Sequence, residues 1–168
     1  MPEPPRHVLF LCTHNSARSI LAEGLMTRVG AGRVVGHSAG SHPSGRVNPF
    51  ALEVLDALGS DTAGMHSKHW LAYAGPNAPV MDFIITVCDN AAGEVCPVWP
   101  GAPAQLHWGF ADPSALGSDD AARRAAFQDT ARQIAARLGA FLEAGASGAS
   151  LQTPWRRAAG EAPIPPVG

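Results

Sequence analysis

The run Cys12-Thr13-His14-Asn15-Ser16-Ala17-Arg18-Ser19 brings a nucleophile and a fixed cation within one short loop. A thiolate at Cys12 attacks electrophilic centres. The planar guanidinium of Arg18 holds two oxygens of a tetrahedral oxyanion. Backbone N–H groups of Thr13, His14, Asn15, Ser16, Ala17 and Ser19 complete an oxyanion cradle if the loop opens a helix, whose dipole adds positive potential. The same field is expected to lower the Cys12 pKa. Ser16 and Ser19 offer hydroxyls to the thiolate, and Asn15 suits a left-handed position or a side-chain bond that locks the loop. The plainer alternative is a cysteine that ends a buried strand beside a solvated arginine, since Cys-x5-Arg also occurs by chance.

Two further thiols, Cys88 and Cys96, lie in one stretch, ITVCDNAAGEVCPVWPG, and make up the rest of the cysteine count. An odd number of cysteines does not suggest a disulfide framework. Zinc binding by Cys88, Cys96 and His107 would need a spacing unlike the short Cys-x2–4-Cys of structural sites, so no metal is expected. Asp112-Pro113 supplies a carboxyl that serves either as a general acid or as the cap of the following helical segment.

These residues must be carried to one place by the fold. His7–Leu11 and Met81–Val87 read as buried strands, Arg33–Ala39 as another, and Ala104–Gly109 as a weaker fourth. Between them, an apolar stripe over Ile20–Val29 reads as a helix ended by Gly30 and Gly32. A second stripe over Val47–Leu58 follows the turn-rich Gly40–Gly45, and a long helix spans Asp119–Leu142. Met65–Tyr73 reads as a short helical turn. Alternating strands and helices predict a three-layer α/β fold, a parallel sheet flanked by helices. Ligands of such sheets bind at the carboxyl ends of the strands. Cys12, Cys88 and Asp112 follow the first, third and fourth strands, so they are expected at one edge.

The chain has 168 residues, enough for one domain, with 46% apolar and 15% charged residues. Its formal charge of −2 shows no basic face for nucleic acid. No apolar run reaches membrane-spanning length, and the N-terminus lacks a signal-peptide pattern, so a cytoplasmic location is expected. The expected organisation is a single catalytic domain, 1–144, followed by a flexible Gly/Ala/Pro-rich tail, 145–168.

VLFLCTHNSARSILAEGL resembles the phosphate-binding loop of the low-molecular-weight protein tyrosine phosphatase superfamily, which includes one group of arsenate reductases. The resemblance continues through SAGSHPSGRVNPFALEVL, GMHSKHW, DFIITVCDN and HWGFADPSA, in order, over most of residues 7–143. It implies a four-stranded parallel sheet and a general acid at Asp112. The two loop cysteines favour the reductases, in particular the thioredoxin-coupled type. Cys12 would attack arsenate, Cys88 would attack the Cys12 sulfur as arsenite leaves, and Cys96 would take over the disulfide. No bound cofactor is implied. The electron donor would be external, thioredoxin being favoured over glutaredoxin with glutathione. The rival activity is phosphotyrosine hydrolysis through Cys12, Arg18 and Asp112. Against it, SALGSDD follows Asp112-Pro113 where phosphatases often carry tyrosines, and the one tyrosine, Tyr73, lies elsewhere. Some related reductases hold potassium beneath the loop with residues aligning to Asn15, Glu23 and Ser38 plus an acid. Here Lys68 falls at the acidic place, so its ammonium is expected to replace the ion.

Overall fold

The computed structural model describes residues 5–88, 103–115 and 117–146. Four strands form one parallel sheet: β1 (Arg6–Cys12), β2 (Val34–Gly40), β3 (Phe83–Thr86) and β4 (Ala104–His107), in the order β2-β1-β3-β4. β1 is central, and Val8 to Leu11 are fully buried, which is why that run carries no polar alternation.

Among the described residues, the helices α1 (Arg18–Gly30), α2 (Pro49–Ala57) and α3 (Asp120–Ala146) pack on one face of the sheet. Their core joins Phe10, Ile20, Leu21, Leu55, Phe83, Phe127, Ile134 and Phe141 around Trp108. The opposite face, with Leu9, Leu11, Ala39 and Ile84, packs against Trp70, Tyr73 and Ala74, of which Trp70–Tyr73 form a 3-10 turn. Among the described residues the helices lie on one face of the sheet and the 3-10 turn on the other, in the α/β class that the strand-helix alternation indicated.

Element ends follow local chemistry. Asn48 caps α2 by accepting the Phe50 N–H at 2.9 Å, with Pro49 at the first helical position. This starts the helix two residues after the apolar stripe does. α1 ends not at a glycine but at Ala31, which takes the left-handed conformation (φ 48°) after Gly30 has closed the last turn. α3 begins beyond Asp119, whose carboxylate accepts the Ala122 N–H at 2.8 Å, and it runs past the expected Leu142 to Ala146.

The strand order places a topological switch between β1 and β3: the chain leaves β1 for β2 on one side and returns to β3 on the other. The connections diverge there, opening a crevice at the carboxyl ends of β1 and β3. Cys12 ends β1, and Cys88 lies just past β3, where the Val87 N–H still bonds the Leu11 carbonyl at 2.9 Å.

Candidate active site

The loop from Cys12 to Arg18 is held by its carbonyls. The Thr13 carbonyl accepts from the His42 N–H (2.9 Å), that of His14 from Ser44 (3.0 Å) and that of Ser16 from Asn48 (2.8 Å). All three donors belong to the segment between β2 and α2, which straps the outside of the loop. In a trans peptide the N–H points opposite to the C=O. Turning these three carbonyls toward the strap therefore turns the amides of His14, Asn15 and Ala17 to the concave side, which makes an anion nest. The strap can lie this close because β2 ends in Gly40. A Cβ there would stand 2.4 Å from the Thr13 carbonyl oxygen and 2.6 Å from that of Cys12.

Asn15 fixes the tightest point. Its φ is 48°, a left-handed value that asparagine tolerates better than most residues, and it is fully buried. Its Nδ2 donates to Ser19 Oγ at 2.9 Å, and its Oδ1 accepts the Lys68 N–H at 2.9 Å. It thus fills both of the roles that its residue type suggested. α1 starts with no side-chain cap and no acid in its first turn, leaving its N-terminal field unopposed beside the loop.

Arg18 opens α1 and reaches the segment that follows β4. It donates from Nη1 to the Phe110 carbonyl at 2.9 Å, and its Nη2 lies 3.7 Å from Asp112 Oδ2. Its Nε is buried and finds no partner among the described residues. A guanidinium pinned at one nitrogen with another unmatched suits a tetrahedral oxyanion in the nest. Asp112 divides its oxygens. Oδ1 accepts the Ser114 N–H (3.0 Å) and hydroxyl (2.7 Å), capping the Pro113–Ala115 turn, while Oδ2 faces Arg18. Capping and positioning at the loop therefore coexist.

Cys12 and Cys88 are both buried. The Cys12 pKa is pushed up, first by a hydrogen bond with the Cys88 thiol, then by burial and by the charge of Cys88. Arg18 and the Thr13 backbone pull the other way and are outweighed. This corrects the expectation of a lowered Cys12 pKa. The sequence displayed the cation and the helix end but not the second sulfur, which holds a proton on the pair. Thr13 Oγ1 lies 3.8 Å from Cys88 Sγ. Cys96 lies outside the described residues. His107 turns Nδ1 to Thr86 Oγ1 at 2.7 Å, and no cluster of metal-ligating side chains is found among the described residues.

Beneath the loop, Ser38 Oγ donates to Glu23 Oε1 at 2.5 Å, and Lys68 Nζ stands 3.6 Å from the same oxygen. The ammonium also donates to the His66 carbonyl (2.9 Å) and to Ser38 Oγ (3.5 Å). Burial lowers the Lys68 pKa, while the charge and hydrogen bond of Glu23 oppose that shift. The His14 side chain is exposed, and the loop architecture uses its carbonyl.

The sequence reading missed the strap residues His42, Ser44 and Asn48, as well as Ser67 and the Phe110 carbonyl. His42 and Ser44 sit in a stretch that reads as an ordinary turn, and Asn48 lies at the start of the second helical stripe. The available signal was topological: β1 and β2 are neighbours, so the segment leaving β2 must pass the loop leaving β1.

The family model described as low molecular weight phosphotyrosine protein phosphatase matches residues 7–152. An arsenate reductase of Shouchella clausii is 34% identical over 138 residues, covering 82% of this chain and 96% of that protein. Among solved structures, the thioredoxin-dependent arsenate reductase of Corynebacterium glutamicum superposes with a TM-score of 0.60 at 26% identity, over 85% of this chain and 63% of that one. An arsenate reductase in its phosphate-binding state gives a TM-score of 0.64 at 25% identity, over 80% of this chain and 94% of that one.

Proposed function

Because the chain belongs to the low molecular weight phosphotyrosine protein phosphatase family, we propose that it uses the family's oxyanion loop to reduce arsenate to arsenite. The observation that carries this reading is the Cys88 thiol buried next to Cys12 at the switch between β1 and β3, close enough to raise the Cys12 pKa. Hydrolysis of a phosphoester has no use for a second sulfur there. Reduction needs one.

Cys12 passes its proton to the bound oxyanion and attacks arsenic(V), forming a sulfur–arsenic bond while an oxygen leaves as water. Asp112 supplies the proton, and Arg18 with the inward amides holds the remaining oxygens. The Cys88 thiolate then attacks the Cys12 sulfur. The sulfur–sulfur bond forms as the sulfur–arsenic bond breaks, its electron pair stays on arsenic, and arsenite departs. Cys88 is already beside Cys12, so this step needs no large rearrangement. Cys96 attacks Cys88, frees Cys12 and passes the disulfide to an external dithiol. The thioredoxin-dependent relative supports thioredoxin over glutaredoxin with glutathione in that role. A reducing cytoplasm is the compartment in which such a relay resets. Lys68 acts as a built-in cation under the loop, in place of a bound potassium ion. No cofactor or metal takes part.

The test follows NADPH consumption with arsenate, thioredoxin and thioredoxin reductase, using wild type, Cys88→Ser and Cys96→Ser. Loss of turnover in Cys88→Ser with retained aryl-phosphate hydrolysis supports the relay. Full arsenate turnover in both variants refutes it and leaves phosphotyrosine hydrolysis as the activity. Full turnover in Cys96→Ser alone means that thioredoxin reduces the Cys12–Cys88 disulfide directly and that Cys96 is dispensable.

A further inference from the structure

Ser67 lies outside the Cys12–Ser19 loop, yet it bonds both that loop and its strap. Its hydroxyl donates to the His14 carbonyl at 3.1 Å and accepts the Gly45 N–H at 3.3 Å. The same His14 carbonyl accepts from Ser44 on the strap. One residue further on, the Lys68 N–H donates to Asn15 Oδ1. The dipeptide Ser67–Lys68 therefore holds two consecutive loop residues, and Ser67 is the point at which loop, strap and the 65–69 segment meet.

We infer that Ser67 is a positioning residue that sets the orientation of the oxyanion loop through the His14 carbonyl. The peptide plane between His14 and Asn15 carries that carbonyl on its outer side and the Asn15 N–H on its inner side. Asn15 itself stands at positive φ, where the backbone has few ways to absorb a tilt of this plane. Two donors on one carbonyl hold the plane where one donor alone would leave it free to rock. Ser67 is only half-buried and makes no contribution to the hydrophobic core, so its loss acts on the loop and not on the fold.

The inference rests on the reading of Cys12–Ser19 as an oxyanion cradle. The test measures the phosphate dissociation constant by calorimetry, kcat and KM for arsenate, and the melting temperature, for wild type, Ser67→Ala and Ser67→Thr. Loss of one such hydrogen bond is expected to weaken phosphate binding about two- to tenfold in Ser67→Ala. The KM for arsenate rises in parallel, kcat is held because the sulfur relay does not pass through Ser67, and the melting temperature is unchanged. Ser67→Thr, which keeps the hydroxyl, restores both constants. Wild-type phosphate affinity in Ser67→Ala overturns the inference. So does a weakened affinity that follows a lowered melting temperature and is not restored by threonine. Phosphate binding is read independently of redox chemistry. A wild-type chain that binds phosphate but leaves arsenate unreduced refutes the reductase reading, while the ratio of phosphate constants still decides the role of Ser67.

Discussion

Replacing Lys68 by methionine separates a stabilising ion pair from one kept for position. The side chains of Lys68 and Glu23 are only 13% and 19% exposed, so the methionine leaves a largely buried carboxylate without its cation. Removing one partner of a buried pair costs about 3–5 kcal/mol. Here Ser38 continues to donate to Glu23, and the 3.6 Å separation is loose, which brings the expectation to about 2–3 kcal/mol. For a domain of this size that is a fall of about 5–12 °C in melting temperature. The lowered Lys68 pKa shows that burial outweighs Glu23 in setting its charge, so the pair as a whole contributes little net stability. Lys68→Met combined with Glu23→Gln is therefore expected to lie within about 1 kcal/mol of wild type. Thermal melts and arsenate kcat/KM are read in potassium, sodium and choline buffers. Wild type is expected to be indifferent to the cation, and Lys68→Met to recover preferentially in potassium. Wild-type activity that rises strongly with potassium over sodium refutes the built-in cation. So does a Lys68→Met protein indistinguishable from wild type in choline.

Asp112→Asn keeps an oxygen to cap Ser114 but has no proton for the leaving oxygen. Its arsenate kcat is expected to fall about 100-fold at unchanged melting temperature, and a large loss of stability would instead assign Asp112 to capping. His37 bonds His7 between Nδ1 and Nε2 at 2.9 Å, has Tyr73 edge-on, and feels the charge of Lys68. Burial first, then His7 and Lys68, lower its pKa to about 4. The unfolded chain takes up this proton near 6.5 and the folded chain only near 4, so stability falls as pH drops across that window. With His37 partly solvated, the loss is about 1–2 kcal/mol in urea melts between pH 7 and 4.5. His37→Gln should flatten this dependence, and an unchanged slope would contradict the assignment.

What the sequence made legible was local or periodic. The Cys12–Arg18 loop could be read because nucleophile, cation and helix start lie in one run. The parallel sheet could be read because strands and helical stripes alternate, and from that alternation came the meeting of Cys12, Cys88 and Asp112. What stayed hidden depends on contacts across the sheet. His42, Ser44 and Asn48 act through backbone N–H groups, which every residue but proline carries, so their identities announce nothing. The direction of the Cys12 shift was misread because Arg18 is visible in sequence, whereas burial and the touch of Cys88 exist only in three dimensions. Asp112 was open between acid and cap because both need the same residue, and the structure gives each use one oxygen.

Cys88 attacks the Cys12 sulfur directly, so that the electron pair of the sulfur–arsenic bond stays on arsenic. Single-turnover reaction of fully reduced Cys96→Ser protein with arsenate, without external thiol, tests it most directly, with arsenite quantified and disulfides mapped by mass spectrometry. One equivalent of arsenite per chain is expected, with a Cys12–Cys88 disulfide formed at the same rate. Arsenite released without that disulfide, or no arsenite from a protein that still binds the oxyanion, would contradict it.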